Sequence, residues 1–267
     1  MPSLRELKKR LKSAGTIEQI SAAMRTASTA KYVKASSSLT GFAPYAAALK
    51  EARGLAGGGS GDTDSPEGRV VVLVSGNRGL CGGYHHELFS FFGNTVLRDG
   101  DTVIAAGKKA ADFCRARNIP VASTFDCSDV PSFSEAKELF SVVRSASEGK
   151  KSVFVVFQRF VNMMKSVPVA EELSPGRGSG DRESGGMIFI PDRAAVADSL
   201  DELVPPSELY EKLLSASAAA QAATAVAMRS AGDNARQSIS SLSGRINRMR
   251  QASVTESVLE TSAQIKE

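Results

Sequence analysis

The 267-residue sequence has no tryptophan, three cysteines and two histidines. Each scarcity closes off a kind of chemistry. Cys81, Cys114 and Cys127 are odd in number and show neither CxxC nor Cys/His spacing. That argues against a disulfide framework and a zinc site, and fits a reducing compartment. His85 and His86 are adjacent, so on a helix they point about 100° apart, which suits neither a metal pair nor a catalytic triad. An exposed pair is expected. The patterns G-x-S-x-G, H-E-x-x-H and G-K-[ST] are all missing, and the acidic residues form no conspicuous pair. The expectation is a chain with no catalytic residue, no metal and no cofactor. No apolar run approaches the roughly 18 residues that span a bilayer. The opening MPSLRELKKRLK is too charged for a signal-peptide core. A soluble cytoplasmic protein with no direct membrane span is expected, able to sit at a membrane through partners.

What remains is alanine, serine and an ordinary apolar share of 42%. The net charge of +4 is unevenly spread. Residues 3–53 carry ten Lys/Arg against three Glu, residues 54–206 carry sixteen against twenty acids, and residues 207–267 carry seven against six. The basic excess therefore belongs to the N-terminal segment. Lys8, Lys9, Arg10 and Lys12 resemble a phosphate-contacting patch, but no aromatic residue stands among them. A solvated helix face, or a docking surface for an acidic protein partner, is the plainer reading, with no nucleic acid.

The N-terminal segment, residues 1–55, reads as one helix. Ser3 is an N-cap with Glu6 completing a capping box, and proline is absent from Ser3 to Ala43. Leu4, Leu7, Leu11, Ala14, Ile17, Ile20, Met24 and Ala27 follow at spacings of three or four, the narrow stripe of a coiled-coil seam. The pattern reaches residue 40 and extends toward Arg53, roughly 60–75 Å of helix. The C-terminal segment, residues 207–267, is proline-free and opens on Ser207, Glu208 and Glu211, acids placed to oppose the macrodipole. Nine of the sixteen residues Ala216–Ala231 are alanine, so a partner helix can approach closely, and Ile239, Leu242, Ile246 and Met249 restore a seam. Two such helices are expected to wind into an antiparallel coiled coil.

Residues 69–192 alternate between strand and helix patterns. Strands are expected at 69–75, 101–107, 119–125 and 152–160, with helices at 84–97, 108–117 and 132–148, and a last edge strand at 186–191. This spacing predicts an α/β, Rossmann-like domain with a mostly parallel sheet. The Gly/Ser-rich stretch 174–186 is expected to be a mobile loop.

The first strand runs into SGNRGLCGGY, residues 75–84, a glycine-rich turn of the kind that cradles phosphates. The dinucleotide fingerprint fails at its first step, because Asn77 rather than an x-Gly pair follows Gly76. At the end of the second strand, Gly107-Lys108 replaces the ribose-binding acid. A sharp structural turn using Gly79, Cys81, Gly82 and Gly83 is the expectation, with Arg78 the one side chain of sufficient reach for an interface. Cys81 reads either as a low-pKa thiol at a helix start or, more simply, as a buried structural residue. On the residues alone, a nucleotide-binding α/β protein with helical arms and a coiled-coil scaffold both stay open.

Five segments narrow the choice. SLRELKKRLKSAGTIEQISAAM, SGNRGLCGGY, FVNMMKSVP, AMRSAGDNA and INRMRQASVTE resemble, in order, the γ subunit of rotary F-type ATP synthase. The lack of a transit sequence and of a chloroplast-type cysteine insertion makes the resemblance bacterial. It implies a non-catalytic central rotor stalk that couples c-ring rotation to ATP synthesis or hydrolysis at the β subunits. The implied partners are the α and β subunits of the catalytic hexamer, the ε subunit and the c-subunit ring. The implied place is the cytoplasmic face of the bacterial plasma membrane. Carried over by motif, Met24 faces an acidic β-subunit segment, Arg250 and Gln251 meet a catalytic-subunit loop, and Asn247 lies one turn earlier. The Arg78–Gly83 turn opens the globular domain. Two segments depart from the family pattern: RTASTAKY after Met24, and the C-terminal VTESVLETSAQIKE with its polar Lys266 and Glu267.

Overall fold

The computed structural model describes residues 3–56, 68–147, 152–173 and 189–264. The chain forms two compact units, one of Ser28–Thr224 and one combining Met1–Ala27 with Ala225–Glu267.

In the larger unit, β1 (Arg69–Val74), β2 (Thr102–Ala106), β3 (Val121–Phe125), β4 (Ser152–Asn162) and β5 (Lys165–Glu172) form one sheet in the order β3-β2-β1-β4-β5. The pairs β1–β2, β1–β4 and β2–β3 are parallel, while β4 and β5 form an antiparallel hairpin. Successive side chains of β1 point to opposite faces. Val70, Val72 and Val74 join Leu139, Val143, Leu209 and Leu213 in one core; Val71 and Leu73 join Leu88, Phe92 and Cys114 in the other. Both faces are therefore covered, which is why β1 reads as a continuous apolar run. The covering helices are α2 (Tyr84–Phe91), α3 (Lys108–Ala116) and α4 (Phe133–Ser147), with the long α1 (Leu4–Ala56) and α5 (Arg193–Gln264).

Several expectations need correction. The helix expected to reach Leu97 widens after Phe91 into a π turn over Phe92–Val96, closed by the Leu97 N–H on the Phe92 carbonyl at 2.9 Å. The antiparallel edge is β5 rather than 186–191. Residues 186–188 of that run lie outside the described residues, and Phe189 and Ile190 are not in a strand. The strand β5 escaped notice because Pro168 interrupts it, a residue that a sheet tolerates at an edge. The stretch 174–186, expected to be a mobile loop, lies outside the described residues.

The C-terminal helix begins at Arg193, well before Ser207. Asp192 caps it, its carboxylate accepting the Ala195 N–H at 2.8 Å. Pro205 and Pro206, directly ahead of the start expected at Ser207, sit inside the helix. Each deprives a carbonyl four residues back of its donor, at a cost of about 3 kcal/mol. Both lie in the buried run Val204–Leu209, so packing outweighs that loss. Glu208 is consequently a buried mid-helix acid, paired with Lys50 at 3.4 Å, and not a first-turn one.

In the smaller unit the start of α1 and the end of α5 pair antiparallel. Arg236 Nε meets Glu18 at 2.9 Å, and Gly232 lies against Ser21, so numbers rise on one helix as they fall on the other. Burial along α1 recurs at Leu7, Ala14 and Ser21, with Leu11, Glu18 and Arg25 half-buried between them, a strict seven-residue repeat. Opposite them Ala225, Met228, Gly232 and Ala235 are buried and Ile239, Leu242 and Ile246 half-buried. The seam is thus real, but past Ala14 it is not the apolar stripe read from the sequence. Ile17 and Ile20 are 53% and 54% exposed, while Glu18, Ser21 and Arg25 turn inward.

A Cβ built on Gly232 would stand 3.8 Å from the Ser21 Cβ, an ordinary contact. Gly232→Ala is therefore expected to stabilise the helix pair by about 0.5–1 kcal/mol through backbone entropy. A raised midpoint in a circular-dichroism melt checks this, and a lowered one would mean the helices cannot yield even a methyl group.

Candidate functional site

In a parallel sheet, ligands bind where strand order reverses, at the carboxyl ends of the strands. Here that point lies between β1 and β4, beside residues 75–84. The groups that would cradle a phosphate there are already used internally. Ser75 Oγ accepts the Ala110 N–H at 2.7 Å. Asn77 Oδ1 accepts the Lys108 N–H at the start of α3 at 2.9 Å, and its Nδ2 donates to Asp126 Oδ1 at 2.7 Å and to the Cys127 carbonyl at 2.6 Å. Tyr84 fills the crevice from below and donates its hydroxyl to the Ala216 carbonyl of α5 at 3.2 Å; burial pushes its phenol well above the usual range. The remaining cavity, lined by Ser75, Asn77, Tyr84, Asp129 and Ala216, is about 40 Å³. Ligand pockets run to roughly 300–1,000 Å³. The nucleotide crevice of this fold is occupied by the protein's own α5.

The glycine-rich turn is a strut. Leu80 and Gly82 take the left-handed backbone, at φ 64° and 59°, whereas Gly83 is an ordinary helix start at φ −78° and Gly79 has open space around it. His85 is not exposed as expected. Its Nε2–H donates to the Arg78 carbonyl at 2.9 Å, and its ring stacks on Phe89, which stacks in turn on Phe113. Burial lowers its pKa although the carbonyl bond opposes this, so the ring is neutral at pH 7 and braces the loop; only His86 is exposed. Cys81 packs with Tyr84 and Ala219, and burial pushes its thiol up rather than down. Burial raises the Cys114 thiol as well, and takes that of Cys127 up to about 12 with help from Glu135 and Asp126.

A larger groove of about 720 Å³ runs between α1, β4, β5 and α5, lined by Leu39, Pro44, Phe157 and Arg159 among others. Three of its charges are joined, since Glu171 accepts from both Arg159 and Lys212. Burial of Glu171 would raise its pKa, but these two cations hold it below the usual carboxylate range. Among the described residues no cluster is placed to hold a metal, and no helix is long and apolar enough to cross a membrane.

Exposed apolar side chains stand on both units, among them Leu80, Val161, Met164 and Ile190 on the larger and Ile17, Ile20, Val254 and Val258 on the smaller. Ile17 and Ile20 lie exposed beside the seam, and Met24, four residues on, is half-buried at its border. On α5, Asn247, Arg250 and Gln251 are exposed. By the pairing of Glu18 with Arg236, Leu4 stands opposite residue 250, so the turns beyond it have no part of α1 beside them. Those turns expose Val254, Val258 and Leu259 at 58–64%. Arg78 stands elsewhere, in the larger unit, 72% exposed and 3.6 Å from Asp129. The structure thus groups Asn247, Arg250 and Gln251 on one helix end and puts Met24 and Arg78 on separate surfaces. Sequence reading missed the inward roles of Asn77 and Gly107; a small residue between β2 and α3 was the one available signal for Gly107.

A sequence profile for the family described as ATP synthase matches residues 3–263. The chain is 32% identical to the ATP synthase gamma chain of Pelotomaculum thermopropionicum, covering 97% of both chains, and 30% identical to that of Moorella thermoacetica, covering 98% of both. Its fold is similar to a chain of the mitochondrial ATP synthase of Euglena gracilis (OSCP/F1/c-ring, rotational state 3), with a TM-score of 0.74 at 16% identity over 98% of this chain and 93% of that one. A chain of the Tetrahymena thermophila central stalk/c-ring structure gives 0.63 at 21% identity, over 79% and 99%. By this profile match and these full-length relatives, the chain belongs to the ATP synthase γ-chain family, the non-catalytic stalk subunits of that complex.

Proposed function

We propose that this chain is the central shaft of a rotary, proton-translocating ATP synthase, enclosed by a hexamer of α and β subunits and carried on a c-subunit ring together with an ε subunit. One observation carries the reading: a helix pair that turns Glu18, Ser21 and Arg25 inward and Ile17 and Ile20 outward. Such a pair leaves part of its apolar surface uncovered and offers it to something around it. A bearing must hold the helices without fixing one angle. Exposed side chains worth about 0–1 kcal/mol per contact meet that need, because no orientation becomes a deep trap.

Met24, Arg78, Asn247, Arg250 and Gln251 are the contact residues of this reading, with Arg250 and Gln251 reaching a loop of a catalytic subunit. Residues Gly79–Gly83 serve the body of the protein. The place of action is the cytoplasmic face of a bacterial plasma membrane, held there through the complex.

The test is reconstitution with cognate α and β subunits, read by native mass and ATPase turnover. One copy per three α/β pairs, with turnover above that of α and β alone, is expected. Replacing Arg250 and Gln251 together by alanine should slow turnover about tenfold, the equivalent of ~1.4 kcal/mol. A self-assembled oligomer without foreign subunits would overturn the reading.

A further inference from the structure

The loop between β3 and α4, residues 126–132, holds more elements together than a connection requires. Asn77 of the glycine-rich turn binds Asp126 Oδ1 and the Cys127 carbonyl. Lys31 of α1 donates to the Asp129 carboxylate at 2.5 Å, both side chains being half-buried. Arg78 reaches the same carboxylate at 3.6 Å from the solvent side. Ser217 of α5 donates its hydroxyl to the Asp129 carbonyl at 2.5 Å. Glu135 fixes the loop from behind by accepting from Ser128 and Ser132. The loop thus has hydrogen bonds of its own to Asn77 and Glu135, apart from those to the two helices. The contacts of Lys31 and Ser217 are therefore additional, and they converge on a single residue.

Resting on the shaft reading above, we infer that Asp129 is a torque clamp. Its side chain grips α1 and its backbone grips α5, so that neither long helix turns against the sheet when the shaft is loaded. Two features of the geometry carry this. The attachments are polar and directional, whereas the neighbouring contacts of the Ala216–Ala223 stretch are small and smooth, with Cys81, Tyr84 and Ala219 packed against Phe160, Ala220 and Ala223. Alanine surfaces resist separation but resist sliding and rotation poorly; a short charged hydrogen bond resists both, and a partly buried one is only weakly screened by salt. Elsewhere α5 is held by single hydrogen bonds, from the Tyr84 hydroxyl of α2 to the Ala216 carbonyl and from the Phe160 N–H of β4 to the Ser215 hydroxyl. Asp129 adds a charged attachment and extends the hold to α1. Lys31, Asp129 and Ser217 are positioning residues here, since none faces a reacting group.

The experiment uses the whole membrane complex in sealed vesicles and compares ATP-driven acidification with ATP hydrolysis. Lys31→Met keeps every bond internal to the loop and removes only the grip on α1; Asp129→Ala removes it from the other side. Both are expected to hydrolyse ATP near the wild-type rate while pumping several-fold fewer protons per ATP, with Lys31→Arg restoring the ratio. Equal pumping ratios in Lys31→Met and wild type would overturn the clamp. So would a parallel loss of hydrolysis and pumping in Asp129→Ala with Lys31→Met unaffected, which marks a purely structural aspartate. A wild-type complex that hydrolyses ATP but never pumps sinks the shaft reading itself, and is recognisable because no substitution is involved.

Discussion

Gly107→Ala is expected to lower the stability of the larger unit by about 3–5 kcal/mol, among the largest effects open to a single methyl group. The residue sits at φ 99° and ψ 148°, a region that essentially only glycine occupies, where a side chain costs on the order of 1–3 kcal/mol. A Cβ there would also lie 2.2 Å from the Ser75 carbonyl oxygen and 2.9 Å from its carbon. Backbone cannot swing aside like the end of a lysine. Ser75 is held by its own N–H on the Ala106 carbonyl at 2.8 Å and by the Ala110 N–H on its hydroxyl, so a shift there breaks two bonds and displaces the glycine-rich turn that follows. Urea unfolding should show a lower midpoint at unchanged slope. Gly82→Ala is the control. It too has a positive φ, but nothing lies within 4 Å of its Cβ, so backbone strain of ~1 kcal/mol is all it should cost. Equal losses for the two variants would show that the Ser75 strand end yields freely.

The second large effect is expected at Leu209, which has no exposed surface and belongs to the core shared by α5, α4 and the sheet. Leu209→Ala should cost about 2–5 kcal/mol, the lost transfer energy plus the cavity left behind. Its neighbour Leu203, on the same helix and 37% exposed, should lose under about 1 kcal/mol on the same change. Since a domain's net stability is about 5–15 kcal/mol, the first variant can leave α5 poorly anchored to the sheet, with assembly failing before chemistry is affected. A measured gap of less than 1 kcal/mol between the two would mean that α5 repacks around Leu209.

What the sequence showed depended on whether the signal was local. The apolar run Val70–Val74 and the alternating segments after it announced a covered parallel sheet, because burial on both faces leaves no other pattern. Ser3 declared the start of α1, and its hydroxyl does accept the Glu6 N–H. The start expected at Ser207 fell short, since the burial that outweighs the cost of Pro205 and Pro206 comes from residues far away in the chain. Ile17 and Ile20 misled for a related reason. An apolar stripe at helical spacing states that something covers it, and cannot state whether that is the chain's own second helix or another molecule. Inward Ser21 and Gly232 are small rather than apolar, and a pairing that rests on close approach leaves little hydrophobic trace. The crevice, too, was legible only as a failed fingerprint. That Asn77 and Tyr84 close it became visible with the contacts made by Cys127 and Ala216.

The three sealed thiols have a practical consequence. Cys81, Cys114 and Cys127 are all buried and all raised in pKa, so little thiolate is presented to solvent near neutral pH. A cysteine introduced at an exposed position would therefore be the one fast-reacting thiol, with no need to strip out the native three and disturb the cores they fill. A dye, bead or cross-linker can then be placed at a chosen point on an otherwise natural chain, and its movement followed one molecule at a time.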